Sequence, residues 1–196
     1  MHRLVMVFVA LLVVVGFGSP LVPAAASQSA QWTTLFDGSN LDAFTPIGDA
    51  NWRLEDGAVQ ANSGSGFLVT NESYADFELN LEFWVDEPAN SGIFIRCADP
   101  QSVNDRNSYE VNIYDTRADQ TYRTGGIVHI APPANVIMTG GQWNSYEILA
   151  RGSRLTVTLN GQPMVDIEDT QFTDGPIALQ YGAGTVKFRN VTIRPL

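Results

Sequence analysis

Two short stretches place groups able to do chemistry on segments with strand-like alternation. The first is Asn90-Ser91-Gly92-Ile93-Phe94-Ile95-Arg96, and the second is Tyr109-Glu110-Val111-Asn112-Ile113-Tyr114-Asp115. Alternate side chains of a strand share a face. Simple alternation therefore sets Asn90, Phe94 and Arg96 on one face, with Ile93, Ile95 and Cys97 on the other. In the second stretch Glu110, Asn112 and Tyr114 share a face opposite Val111 and Ile113. Each strand thus offers an apolar face to a core and a second face carrying a cation, a carboxylate, amides and aromatics. That second face reads as the floor of a polar ligand site, because an idle surface strand more often carries Thr, Ser and Lys. Arg96 and Glu110 invite two readings. One is a structural ion pair across a sheet, worth little if exposed. The other is a ligand-holding cation beside a general base.

Several further groups are candidates for the same site. His129 is the one His outside the first two residues. It follows Gly125-Gly126 and precedes Pro132-Pro133, and an imidazole suits proton transfer near neutral pH. Trp84 and Tyr114 fall on the polar faces of their strands, where aromatic rings can stack on the apolar faces of sugars. Asp99, Asn104, Asp105 and Asn107 carry the oxygen ligands that calcium takes. They lack EF-hand spacing, and an Asx-rich turn is the competing reading. Direct glycoside cleavage calls for two carboxylates about 5 to 10 Å apart. The outward face of the second stretch supplies one, Glu110, which argues against an ordinary glucanase.

The elements that must position these groups are strands. Phe77, Leu79, Leu81, Phe83 and Val85 alternate with Glu78, Asn80, Glu82 and Trp84; Leu155, Val157 and Leu159 alternate with Thr156 and Thr158. Asp56-Gly57 and Asn160-Gly161 are two-residue hairpin signals. Near Arg189-Asn190 the apolar parity slips from Val186 and Phe188 to Val191 and Ile193, which predicts a bulge. No helix-length 3.6-residue pattern follows the leader; short helical turns are expected at most at Ser39 to Ala43 or Thr170 to Phe172. Trp32, Trp52 and Trp143 read as core. Many short strands with regular turn signals indicate a two-sheet sandwich. The long irregular stretches Ala98 to Ser108 and Thr116 to Thr124 flank the two polar strands, as loops completing a site would.

Composition bounds the setting. His2 and Arg3 precede an apolar run from Leu4 to Phe17, and Ala24-Ala25-Ala26 resembles a cleavage site, so residues 1–26 are expected to be a signal peptide. The run is short for a ~20-residue span. The expected product is a single β-sandwich domain over 27–196, secreted or periplasmic and off the membrane. A net charge of -10 with 11 basic residues argues against nucleic acid or anionic lipid as partners. The single Cys, Cys97, leaves no intrachain disulfide and reads as a buried inert thiol.

A family resemblance rests on ordered pieces along the chain. They are Trp32-Thr33-Thr34-Leu35-Phe36-Asp37-Gly38, Trp52-Arg53-Leu54-Glu55-Asp56-Gly57, Tyr74 to Leu79, Asn90 to Arg96, Tyr109 to Asp115, Trp143-Asn144, Leu159-Asn160-Gly161, Gly175 to Gln180 and Phe188 to Val191. In this order and spacing the chain resembles the 3-keto-disaccharide hydrolase domain family. The resemblance implies a concanavalin A-like jelly-roll sandwich acting on glycosides oxidised at C3. Where the family carries a His-Gly pair, this chain has Tyr181-Gly182, and Val128-His129 stands where an aromatic is usual. A 3-keto sugar changes the chemical demand: the ketone acidifies the C2 proton, one base removes it, and a cation or metal steadies the enolate. On this reading Glu110 is the base, Arg96 with Asn90 or Asn112 holds the ketone oxygen, and Gln180 and Tyr181 line the site. The alternative is a non-catalytic sugar-binding or adhesion domain, which the Tyr181-Gly182 departure favours.

Overall fold

The computed structural model describes Met1 and residues 31–196, so the expected signal peptide lies outside the described residues. Thirteen strands follow one another: β1 (Thr33–Phe36), β2 (Phe44–Gly48), β3 (Arg53–Glu55), β4 (Ala58–Ala61), β5 (Gly66–Thr70), β6 (Phe77–Val85), β7 (Ser91–Ile95), β8 (Tyr109–Ile113), β9 (Trp143–Arg151), β10 (Arg154–Leu159), β11 (Gln162–Glu168), β12 (Ala178–Tyr181) and β13 (Val186–Pro195). One helical turn, a 3-10 segment at Gln120–Tyr122, interrupts them. The turns expected at Ser39 to Ala43 and Thr170 to Phe172 are not helical.

The strands form two antiparallel sheets, giving the all-β two-sheet sandwich that the alternation predicts. The first runs β11-β10-β9-β6-β13-β4-β3, with β1 beside the second half of β13. The second runs β2-β5-β12-β7-β8. Their facing sides make one core. Phe77, Leu79, Leu81, Phe83 and Val85 of β6 enter it from the first sheet. From the second sheet, Leu68, Leu179, Ile93 and Val111 lie side by side in register across four strands and enter it together. The predicted bulge in β13 is present, with a register shift between Arg189 and Thr192 and Asn190 at φ 52°. It keeps both Phe188 and Val191 in the core despite their odd spacing. Asp56-Gly57 and Asn160-Gly161 turn with positive φ at both residues, as a two-residue hairpin demands. Of the three tryptophans expected inside, Trp52 packs against the core. Trp143 and Trp32 lie instead beneath the guanidinium groups of Arg189 and Arg194.

Arg96 departs from simple alternation. It follows β7 with φ 53°, the left-handed region that non-glycine residues seldom adopt. The reversal turns its side chain away from the Phe94 face. The guanidinium, 1 % exposed, donates to the carbonyls of Ala75 (2.9 Å), Gly152 (2.9 Å) and Phe172 (3.1 Å) and to Asp76 Oδ1 (3.2 Å). Asp76 Oδ1 also accepts from the Gly152 amide at 2.8 Å. Arg96 therefore ties the end of β7 to the segment entering β6 and to the β9–β10 turn, joining the two sheets. The same reversal moves Cys97 off the Ile93 and Ile95 face. It packs with Val69, Phe94, Val103 and Ala178 on the outer side of the second sheet. The thiol is still buried, and desolvation pushes its pKa to about 12, so it is an inert group on a different face.

Replacing Arg96 by Leu takes this donor from the Ala75, Gly152 and Phe172 carbonyls and from Asp76. Asp76 keeps contact with water at 39% exposed, so the loss is that of charge-assisted hydrogen bonds, about 1–3 kcal/mol. Urea unfolding should show a loss of that order; a loss below about 1 kcal/mol would mean that the pin is not structural.

Candidate functional site

The outer face of the second sheet carries the site. Register places Val69, Ala178, Phe94 and Glu110 in a row across β5, β12, β7 and β8. A parallel row contains Ile47, Phe67 and Gln180. Above them runs the stretch Ala98 to Ser108, fastened by Val103, which packs against Phe94 and Val69. Between loop and sheet lies a cleft of about 310 Å³, lined by Phe67, Asn90, Phe94, Val103, Asn104, Asp105, Glu110, Tyr114, Arg117 and Gln180.

Glu110 lines this cleft from β8. Its side chain leans over Gly92, where a Cβ would stand 3.0 Å from both Cγ and Oε1 of Glu110. The glycine is therefore what gives the carboxyl its place. Glu110 is 7 % exposed, and among the described residues its carboxyl accepts no hydrogen bond. Burial raises its pKa from 4.5 to about 7; Asp105 pushes in the same direction and Arg117 opposes. A carboxyl so placed can hold or accept a proton at neutral pH.

Asp105 is the second acid of the cleft and comes from the loop. His129 Nε2 lies 2.9 Å from its Oδ2, and Arg106 Nε lies 3.8 Å from its Oδ1. His129 has φ 65° and meets the Tyr122 ring edge to face at 5.7 Å. The single-carboxylate expectation is thus corrected: alternation along a strand cannot reveal an acid supplied by a loop. Arg117 lines the cleft in place of Arg96. It lies in the long irregular stretch after Asp115, where a cation among few basic residues was the available signal.

The sequence-predicted residues divide. Glu110, Asn90, Tyr114 and Gln180 line one cleft, and His129 reaches its rim through Asp105. The Oε1 of Gln180 is buried without a partner. Asn112 shares the Glu110 face but is fully buried, with Nδ2 donating to the Tyr122 carbonyl and Oδ1 unpartnered. It braces the neighbouring loop. Arg96 is absent from the cleft because its guanidinium is committed between the sheets. Trp84 is absent because β6 belongs to the other sheet, where Lys187 Nζ stands 5.1 Å over its ring. Tyr181 turns inward next to outward Gln180. It packs on Trp52, with its hydroxyl donating to the Gly184 carbonyl at 3.0 Å.

Two supports hold the site's edge. The segment Gly125 to Val128 pairs along β8: Asn112 N donates to the Gly126 carbonyl, Gly125 N to the Asn112 carbonyl, and Val128 N to the Glu110 carbonyl. Asp115 is buried and accepts from Thr124 Oγ1 (2.6 Å), the Thr139 amide (2.6 Å), Thr139 Oγ1 (3.1 Å) and the Gly140 amide (3.2 Å). The oxygens proposed for calcium are spent on turns: Asp99 accepts from Gln101 N, Asn107 from Asn104 N, and Asn104 from Arg106 N. Among the described residues no three His, Cys, Asp or Glu gather as a metal set. A larger cavity of about 450 Å³ lies toward Cys97, Thr173 and Asp174. The thiol there is held protonated by its burial.

The family model described as a 3-keto-alpha-glucoside-1,2-lyase-like domain matches residues 31–194. No curated protein sequence matches the chain. Among solved structures, a protein from Parabacteroides distasonis provisionally assigned as a glycosyl hydrolase superposes with a TM-score of 0.76 at 20% identity, over 84% of this chain and 94% of that one. A second from the same organism, assigned likewise, gives 0.70 at 26% identity, over 85% and 100%. The carbohydrate-binding module CBM66 from Bacillus subtilis gives 0.61 at 20% identity, over 78% and 95%.

The raised Glu110 pKa has a consequence for stability. Between about pH 4.5 and 7 the folded chain keeps a proton that the unfolded chain has released. Stability from this group therefore falls as pH rises through that window. Glu110→Gln should match the wild type near pH 4 and exceed it at pH 8, by on the order of 3 kcal/mol. Urea unfolding at both pH values checks this; parallel profiles would place the Glu110 carboxyl in water.

Proposed function

The chain belongs to the 3-keto-alpha-glucoside-1,2-lyase-like domain family, and from that premise we propose that it cleaves 3-keto-glycosides through Glu110. The observation that carries the proposal is geometric: a buried carboxyl without a protein hydrogen bond faces a cleft that also holds one cation and aromatic walls. Glu110, as carboxylate, takes the C2 proton of the 3-keto sugar. The C2–H electrons form the C2=C3 bond of an enolate as the ketone's π pair moves to its oxygen; when the enolate collapses the C=O bond re-forms, the C2=C3 pair becomes the C1=C2 bond, the C1–O bond breaks, and the departing oxygen takes a proton. Arg117 is the cation available to the enolate oxygen, replacing the role expected of Arg96. His129, bonded to Asp105 at the rim, would deliver the proton to the leaving oxygen. Phe67 and Tyr114 offer ring faces and edges to the sugar, and Asn90 and Gln180 offer amides to its hydroxyls.

A second reading rests on Asp105. Two carboxyls in one cleft, one with a raised pKa, also suit acid and nucleophile in direct glycoside hydrolysis. Against it, Asp105 is engaged by His129 at 2.9 Å, which suits a residue that orients an imidazole.

Rates on a 3-keto-glucoside and on the parent glucoside separate the readings. The expected result is release of the leaving group from the ketone alone. Glu110→Gln should slow it by the ~10²–10⁴-fold typical of a lost general base. Arg117→Ala should also slow it, whereas Arg96→Lys should act through stability rather than rate per folded molecule. Comparable cleavage of the plain glucoside would favour the two-carboxylate reading. Binding without turnover would favour a lectin-like domain.

A further inference from the structure

A buried cation stands behind the cleft with too few acceptors. Arg123 lies near the end of the stretch that carries Arg117, and it is 8 % exposed. A guanidinium offers only donors. Here Nη1 donates to Gln120 Oε1 at 2.8 Å, Nη2 meets the Met138 sulfur at 3.0 Å, and Nε is buried without a partner. Among the described residues no Asp or Glu pairs with it. A thioether is a weak acceptor, so this charge rests on one amide and one sulfur. Met138 itself is at the surface, 55 % exposed, whereas Met164 is 1 % exposed. Its backbone is held in place. The Met138 carbonyl accepts from Gln142 Nε2 at 3.2 Å, and the next two amides, of Thr139 and Gly140, donate to Asp115.

We propose that Met138 is an oxidation site and that its sulfoxide clasps Arg123. A peroxide supplies the oxygen. The sulfur lone pair takes one peroxide oxygen, the S–O bond forms and the O–O bond breaks. The proton on the transferred oxygen passes to the departing hydroxide, which leaves as water. Sulfur is oxidised and the peroxide reduced. In a core the polar product disrupts packing. Here the side chain is half in water, and the group beside the sulfur is a guanidinium short of acceptors. The new oxygen therefore gains a charge-assisted hydrogen bond where the thioether made a weak contact. The effect reaches the cleft. Gln120, held by Arg123, donates through Nε2 to the Arg117 carbonyl, and Arg117 lines the Glu110 cleft. Oxidation at the surface thus stiffens the loop that carries the cleft's cation, whatever chemistry Glu110 performs.

Hydrogen peroxide and the full chain test this. Peptide mass spectrometry should find Met138 oxidised while Met164 stays reduced. Amide hydrogen exchange over residues 116–124 should then slow by roughly tenfold, the scale of one hydrogen bond to a charged group. Met138→Gln sets an amide carbonyl beside Arg123 and should show the slower exchange without peroxide. Met138→Leu removes the acceptor; it should exchange faster than the untreated wild type and should not respond to peroxide. Oxidation of Met164 as early as Met138 would overturn the site. Unchanged or faster exchange in the oxidised wild type would overturn the clasp. An equal response to peroxide in Met138→Leu would trace the effect to another residue and overturn it as well.

Discussion

The guanidinium of Arg96 is the constraint on which the arrangement depends. Four acceptors from three distant segments converge on it between the sheets, and the chain reaches them only because Arg96 takes a left-handed backbone conformation. A buried ionic group of this kind is poor evidence for net stability. What it does is fix geometry. It sets how β7 ends, and therefore where the following loop begins. That loop carries Val103 and Asp105 over the sheet, so the roof of the cleft is positioned by a residue that never enters it.

Within the cleft, environment separates two chemically similar acids. Glu110 is buried over Gly92 with no donor, so its neutral form persists to higher pH than that of an ordinary carboxyl. Asp105 lies at the rim with an imidazole and a guanidinium for company. Equal groups in unequal surroundings are a usual way for one site to supply both base and orienting group. The loops contribute the cation and the imidazole, while the sheet contributes the carboxyl, the amides and the aromatic floor.

Much of this was legible from alternation alone. The strands of β6, β10 and β13, the two hairpins and the bulge at Asn190 follow from residue period and turn chemistry. So does the shared face of Glu110 and Tyr114. Three failures have specific causes. Period-two reasoning assumes an unbroken strand, and the positive φ at Arg96 breaks it without a glycine to announce the break. Parity gives Trp84 an outward face but does not say which sheet that face belongs to. Gln180 and Tyr181 are adjacent, so a strand through both cannot direct both side chains to one site; that contradiction was available in the sequence. Asp105 and Arg117 come from irregular segments, whose placement depends on tertiary contacts that no local period encodes.

The pairing of Gly125 to Val128 along β8 bears on more than the site. β8 ends the order of its sheet. A strand in that position, uncovered, is a template on which another copy of the chain can add a strand. The segment occupies those amides and carbonyls with a run too short and too irregular to propagate. Edge protection and the shape of the cleft are therefore drawn from the same few residues. Change that loosens the segment, whether by mutation or by selection for a wider cleft, exposes the strand that bears Glu110 and carries aggregation as its side effect.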